Sequence, residues 1–462
     1  MHDEQVISTT ESVCPVCLAR IPAARVRIDG DVYLRKTCPE HGMVQTIVWR
    51  GEQPDYTTWA RPKLPAYPAR PMTSIERGCP FDCGLCADHR QQTCTALLEV
   101  TQRCDLRCPF CFADAGTHPP PDPDLATLES WYHTLLASND ACNIQLSGGE
   151  PTMRDDLPEI IAMGKALGFG FIQVNTNGLR LARDAAYVRR LKEAGLSSVF
   201  LQFDGTDDAI FSTIRGVRML ERKRAAITAC GEHGLGVVLV PTLVPRINTD
   251  DIGNIIRFAL EHFPTVRGVH FQPVSYFGRY PTPPSDADRL TIPDLMRAVE
   301  AQTNGLIKAA NFTTSGCENA LCSLHGNFVI MPDGGLRPWT QQQQAGGCCT
   351  PQPAAIGAEK TRQFVAQHWS AASSSMIALD SIGDSAFGAW DTFLARTKTH
   401  TFCISGMAFQ DAWNLDLDRL RDCCIHTISP DGRIIPFCAY NLTDQAGRAI
   451  YRGQQVQMAS ER

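Results

Sequence analysis

From Thr95 onward the chain alternates between short apolar runs and longer stretches in which apolar residues recur at intervals of three and four. The apolar runs are ALLEVT, NIQLSG, FIQVNTNG, SVFLQFDG, GVVLVPTLV and GVHFQPV, and they read as six buried strands. The segments between them, from LATLESWYHTLLA to IGNIIRFALEHF, carry helical periodicity. Strand and helix in alternation predict a parallel sheet. Six such repeats in about 180 residues predict an α/β fold built on a partial (β/α)6 barrel, not a closed eight-stranded one.

The pattern differs on either side of this core. CPVCLARIPAARVRIDGDVYLRKTCPEHG reads as a small metal ribbon, with the strands RVRID and VYLRK joined at Asp29-Gly30. Cys14 and Cys17 form one knuckle and Cys38 and His41 a second, four ligands for one zinc or rubredoxin-like iron. A Pro-rich linker, RPKLPAYPARP, follows from Arg61 to Pro71. After Pro281 a weak internal repeat emerges: HGNFVIMPDGGLRPWT and CIHTISPDGRIIPFC each read as strand, Pro-Asp-Gly turn and strand. QQQQAGGCCTPQP reads as a loop. The expected organisation is a ribbon at 1–60, a linker with a first cysteine motif at 61–97, a barrel at 98–281 and a C-terminal cysteine-rich domain at 282–462.

Composition narrows the class. The 462 residues are 44% hydrophobic, with 43 basic and 49 acidic residues and a net charge of −6, which gives nucleic acid or another polyanion no basic surface. MHDEQVISTT is too polar for a secretory signal, and no apolar run approaches the ~20 residues of a membrane helix. A cytoplasmic protein that is not integral to a membrane is expected. The 20 cysteines fall in CxxC and CxxxCxxC groups, which in a reducing compartment indicates metal and iron–sulfur ligation. Cys142 and Cys230 lie in apolar surroundings and read as core.

Two groups share one spacing: Cys79, Cys83, Cys86 and Cys104, Cys108, Cys111. Three thiolates so spaced can hold three irons of a [4Fe–4S] cluster. Cys94 follows the first group closely enough to complete it, whereas no cysteine follows the second until Cys142. The second group also follows ALLEVT directly, at a strand end where barrel enzymes carry their chemistry. The next strand runs into SGGEP (Ser147–Pro151), and those after it end in NTNG and QFDG. Adjacent glycines allow close backbone approach to a ligand, and a neighbouring Glu can meet an ammonium group.

Cys104, Cys108, Phe110 and Cys111 in CxxxCxΦC spacing, followed by GGEP, resemble the signature of the radical S-adenosylmethionine (SAM) superfamily. The resemblance implies an open iron that chelates the methionine moiety of SAM, and cleavage of the sulfonium to a 5′-deoxyadenosyl radical. It implies that Gly148, Gly149 and Glu150 hold the methionine amine, with the adjoining Pro151 counted among the cofactor-binding residues. Phe110 belongs to the same signature, and Asn175, Thr176, Gln202 and Asp204 would line the ribose and substrate sides.

A narrower likeness spans most of the chain. The ribbon, CPFDCGLC, VPTLV, HFQPVS and DAWNLDLDRLRDCCIHTISPDGRIIPFCAYN resemble the subgroup that includes the archaeal pterin methylase of methanopterin biosynthesis and the tetraether lipid synthases. This likeness implies auxiliary clusters, on Cys79, Cys83, Cys86 and Cys94, and on Cys317, Cys322, Cys423 and Cys438, with Cys424 the rival of Cys423. With the radical SAM cluster these make three [4Fe–4S] clusters, and an electron donor such as ferredoxin or flavodoxin is expected. Cys348, Cys349 and Cys403 fit no pattern. The implied reaction is radical C–C bond formation: methyl transfer to a pterin-like small molecule from a methylene-folate-type donor, or alternatively coupling of lipid alkyl chains. The latter needs a long apolar channel. A peptide-modifying maturase is a further alternative, whose mark would be a winged-helix module.

Overall fold

The computed structural model describes residues 4–59, 63–116, 119–138, 142–340, 353–371 and 388–453. Cys348, Cys349 and Phe387 lie outside the described residues. The N-terminal ribbon is a four-stranded antiparallel meander of β1 (Glu4–Val13), β2 (Arg20–Ile28), β3 (Asp31–Cys38) and β4 (Gly42–Trp49). Its central hairpin turns at Asp29 and Gly30, with φ of 50° and 88°, the paired positive dihedrals that a two-residue hairpin loop requires. The outer strands were not legible beforehand, because their alternation is interrupted by polar residues.

All six expected barrel strands form: β5 (Thr95–Thr101), β6 (Asn143–Gly148), β7 (Ile172–Thr176), β8 (Ser198–Gln202), β9 (Gly236–Val240) and, after the two-residue β10 (Thr242–Leu243), β11 (Val266–Pro273). They pair in parallel in the order β5-β6-β7-β8-β9-β11. Helices fill the intervals, and their apolar stripes close the outer face of the sheet. Ile252–Glu261, for example, buries Ile252, Ile255, Ile256 and Phe258. Helix Asp208–Arg215 was not foreseen. It is short and capped at Asp207, whose side chain accepts from the Ala209 amide.

The C-terminal region extends the same sheet at both edges. β14 (Thr401–Met407) pairs in parallel with β11, and β15 (Ile425–Ile428) in parallel with β5. Beyond them lie the two Pro-Asp-Gly hairpins, β12 (Ser323–Ile330) with β13 (Leu336–Pro338) on one side and β15 with β16 (Ile434–Pro436) on the other. The two copies of the sequence repeat therefore occupy opposite ends of one 12-stranded sheet. The ribbon docks against the same C-terminal region. Arg25 pairs with the nearly buried Asp416 at 2.7 Å, and the buried Lys36 Nζ donates to the Ala412 carbonyl at 2.7 Å. No helix among the described residues is long and apolar enough to cross a membrane.

Candidate active site

A cavity of about 640 Å³ runs through the barrel. Alternation along the strands points every second residue into it: Asn143, Gln145 and Ser147 from β6, Gln173 and Asn175 from β7, and Gln202 from β8. Amide side chains thus form a ladder across neighbouring strands. Gln145 Nε2 donates to Gln173 Oε1 at 3.0 Å, and Gln173 Nε2 donates to Ser198 Oγ at 3.1 Å. Asn175 Nδ2 donates to Ser147 Oγ at 3.4 Å. Across the lumen, His270 Nδ1 lies 2.8 Å from Ser405 Oγ, and burial pushes this imidazole down to about 4, so the ring is neutral. Asn175 Oδ1 and Gln202 Oε1 are buried acceptors with no protein donor. Such atoms are costly unless a ligand or water satisfies them.

Cys104, Cys108 and Cys111 lie on the loop after β5 and line the same cavity. The loop is held from two sides. Arg279 and Cys111 exchange backbone hydrogen bonds, both 2.9 Å, and Arg279 Nε donates to the Cys108 carbonyl at 2.9 Å. From the other side Arg215 Nη1 donates to the Phe110 carbonyl at 3.2 Å. Burial, with Glu150 and Asp105 nearby, pushes the Cys104 thiol up to about 12; a coordinated cation reverses that preference by stabilising the thiolate.

The Gly-Gly pair of SGGEP carries the strand end onto the cysteine loop. Gly149 N donates to the Thr101 carbonyl and Glu150 N to the Arg103 carbonyl, both at 2.8 Å. A Cβ on Gly148 would lie 2.1 Å from Thr101 O, and one on Gly149 2.2 Å from Arg103 O, so only glycine permits this approach. The Glu150 carboxylate accepts from Thr152 N and Oγ1, from Thr176 Oγ1 and from Asn177 N, at 2.6 to 3.0 Å. Burial nevertheless pushes its pKa up, and its carboxylate serves chiefly to tie β6 to β7. Thr176 acts through this contact. Pro151 opens the single turn Pro151–Met153 behind Glu150, and Phe110 lines the cavity.

Asp204 requires a correction. It was expected to face the ligand, but both its oxygens bind the Arg215 guanidinium at 2.6 Å, and Oδ1 also accepts from Thr242 N. β8 ends at Gln202, and beyond that point strand alternation no longer governs where a side chain points. Asp204 therefore positions Arg215. Asn177 was missed: its Nδ2 donates to Asp105 Oδ1 on the cysteine loop at 2.7 Å, and its carbonyl accepts from the buried Lys223 at 2.6 Å. NTNG contained this residue, but strand geometry alone favoured Asn175.

Beyond the ribbon, the remaining thiols are grouped differently from the expectation. In the ribbon, Cys14, Cys17, Cys38 and His41 converge with all four ligand atoms within 4.8 Å of one another. Cys83 is pushed well up by contact with Cys79 and by burial, with Cys86 adding to the effect. Cys94 does not close this group. It converges instead with Cys317 and Cys424 within 4.8 Å. The cause is strand register: Thr95 pairs with Ile425, which sets Cys94 and Cys424 side by side at the start of β5 and β15. Cys317 is thereby separated from its expected set. Cys423 retains Cys438 and Cys322 as electrostatic neighbours, with Arg419 donating to Cys322 Sγ at 3.2 Å. Cys142 and Cys230 are buried core residues, whereas Cys403 lines the cavity from β14.

A strand-end thiol loop facing a glycine-lined turn, within a parallel barrel, defines the class, and the comparisons agree. The radical SAM superfamily matches residues 98–259, and the HMPTM N-terminal zinc ribbon domain matches residues 6–50. The chain is thus a radical SAM enzyme. It belongs to the family of the 7,8-dihydro-6-hydroxymethylpterin dimethyltransferase of Methanocaldococcus jannaschii, with 36% identity over 94% of this chain and 93% of that protein. The probable GTP 3′,8-cyclase of Methanothermobacter thermautotrophicus is 30% identical over 37% of this chain and 56% of its own length. Among solved structures, Streptococcus suis SuiB bound to S-adenosylmethionine aligns over 46% of this chain and 48% of that one, at 18% identity and a TM-score of 0.39.

Proposed function

We propose that this enzyme methylates a pterin-like compound by radical chemistry, using a methylene-folate-type methyl donor. The observation that carries the reading is the lumen wall. Gln145, Gln173, Asn175 and Gln202 present amides, two of them with unsatisfied acceptor oxygens, on one wall of a lumen whose other walls carry apolar side chains, among them Phe200, Phe277, Trp369 and Phe409. A 2-amino-4-oxo heterocycle offers the N–H donors such acceptors take. The substrate of the Methanocaldococcus relative has this chemistry by name. The N-terminal module is a β ribbon and not a winged helix, which removes the mark of a peptide-modifying enzyme.

In this reading Cys104, Cys108 and Cys111 hold a [4Fe–4S] cluster, and the backbone of Gly148–Glu150 receives the methionine end of SAM. Cys14, Cys17, Cys38 and His41 hold one zinc or iron, and auxiliary clusters sit on Cys79, Cys83 and Cys86 and on Cys322, Cys423 and Cys438. When bound, SAM and its cluster supply a 5′-deoxyadenosyl radical that abstracts hydrogen from the substrate. Arg215 and Arg279 fix the cluster loop, and the enclosing wall of the partial barrel limits the access of water to the site. A ferredoxin or flavodoxin in the cytoplasm serves as reductant. The test is anaerobic incubation of reconstituted enzyme with SAM, a strong reductant, a methylene-folate and 6-hydroxymethyl-7,8-dihydropterin. A pterin product heavier by one or two methyl groups supports the reading; 5′-deoxyadenosine released without any methylated pterin refutes it.

A further inference from the structure

The parallel register stacks the inward-facing residues of the barrel in layers. In the layer nearer the cysteine loop, Gln202 pairs with Val240, and His270 with Ser405. Leu239 pairs with Val269, so Val240 and His270, the next residue of each strand, are neighbours as well. Gln202, Val240, His270 and Ser405 thus form one row across β8, β9, β11 and β14, and all four line the cavity. Two strand spacings, roughly 10 Å, separate Gln202 from His270 along this row.

The layer below supplies an aromatic shelf. Phe200, two residues before Gln202, stacks on Trp369 with ring centroids 5.7 Å apart and planes 20° from parallel. Trp369 reaches the lumen from the end of helix Ala354–His368, which closes on β9 so tightly that a Cβ on Gly236 would lie 2.5 Å from the Trp369 carbonyl. The His270 ring packs on Phe200 at 5.3 Å between centroids. Its Nδ1 is engaged by Ser405 Oγ, whereas Nε2 has no protein partner among the described residues. Burial alone displaces its titration, with no charged neighbour contributing, so the ring is a neutral hydrogen-bonding group and no part of an ion pair. The row therefore has an unsatisfied acceptor on Gln202 at one end, a ring nitrogen of His270 at the other and valine between them. Such a surface is complementary to a flat heterocycle with two polar edges.

We propose that the pterin lies across Val240 on the Phe200–Trp369 shelf, with its 2-amino-4-oxo edge toward Gln202 and the nitrogens of its second ring toward His270, which makes His270 a specificity-determining residue. The placement rests on the reading of this cavity as the pterin site. A hydroxyl both donates and accepts, so Ser405 can hold the imidazole in either neutral tautomer. Nε2 then donates to N5 of a 7,8-dihydropterin or accepts from its N8–H.

The test is anaerobic titration calorimetry of the reconstituted full chain, with SAM present and no reductant, so that binding is read without turnover. The ligands are 6-hydroxymethyl-7,8-dihydropterin and its 5,8-dideaza analogue, which keeps the 2-amino-4-oxo edge and two fused rings but lacks both nitrogens assigned to His270. His270→Ala should raise the Kd of the dihydropterin about tenfold, the worth of one neutral hydrogen bond, and leave that of the analogue unchanged. His270→Gln, whose amide both donates and accepts, should recover part of the loss. Unchanged affinity of His270→Ala for the dihydropterin overturns the placement. So does an equal loss for both ligands, which would make His270 a support of the fold alone. A parent that binds the two ligands equally well also overturns the placement and leaves the proposed function standing, whereas a parent that binds neither overturns the proposed function itself.

Discussion

Replacing Asp204 by Ala tests whether the cysteine loop is held by a buried ion pair. Asp204 is fully buried, and Arg215 is 5% exposed. The substitution removes two charge-assisted hydrogen bonds of 2.6 Å and one from Thr242 N at 3.1 Å. All three are bonds to a charged group and contribute about 1.5–3 kcal/mol each. Stranding a buried guanidinium costs about 3–5 kcal/mol by direct comparison with other buried pairs. The two routes overlap at a loss of about 5 kcal/mol. The double variant Asp204→Leu with Arg215→Met removes both charges, and its stability should return to within about 1 kcal/mol of the parent. It still lacks the donor to the Phe110 carbonyl, so SAM cleavage should remain impaired while stability recovers. Anaerobic urea titration of the reconstituted protein, read by tryptophan fluorescence, measures the first quantity, and 5′-deoxyadenosine release measures the second. A single variant destabilised by less than about 1 kcal/mol, or a double variant with full cleavage activity, would refute the argument.

Three further outcomes are expected. Gly149→Ala must push its Cβ away from the Arg103 carbonyl, and a displacement of this size next to the cluster loop should lower 5′-deoxyadenosine formation about a hundredfold, with ribbon metal content unchanged. His41→Ala should lower the stoichiometry of the ribbon ion, read by elemental analysis, and leave the iron held by Cys104, Cys108 and Cys111 in place. His270, held near 4 by burial against an unfolded value near 6.5, contributes stability that is present above pH 6.5 and lost as the pH falls toward 4. The full effect is about 3 kcal/mol, and His270→Asn should flatten the decline measured by denaturant titration between pH 6.5 and 5.

The barrel strands, the ribbon hairpin and both Pro-Asp-Gly hairpins were legible because each is written in local residues. Six apolar runs announced six strands, and Asp29-Gly30 announced a turn. The regrouping of Cys94 was hidden for the opposite reason: its neighbour Cys424 is brought in by parallel pairing of β15 with β5, and no spacing in the sequence encodes that register. β14 is likewise inserted between β11 and β12, against chain order. Asp204 misled because a carboxylate just past a strand end has the same local appearance whether it meets a ligand or a buried arginine. Among the C-terminal aromatics, Phe402 and Trp413 are buried in the core, whereas Trp369 and Phe409 line the cavity.

The strand order of the sheet imposes a timetable on the enzyme's assembly. The ribbon thiols and the tripod of Cys104, Cys108 and Cys111 each lie within a short span of chain, so each set can come together while later segments are still being synthesised. The group of Cys94, Cys317 and Cys424 cannot. It needs Cys94, just before the first barrel strand, and Cys424 from the chain's last tenth, and the barrel edge beside β5 stays unpaired until β15 arrives. Convergence of the thiols is thereby ordered along the chain, and a chain truncated before β15 would retain the loop of Cys104, Cys108 and Cys111 while leaving one edge of β5 unpaired.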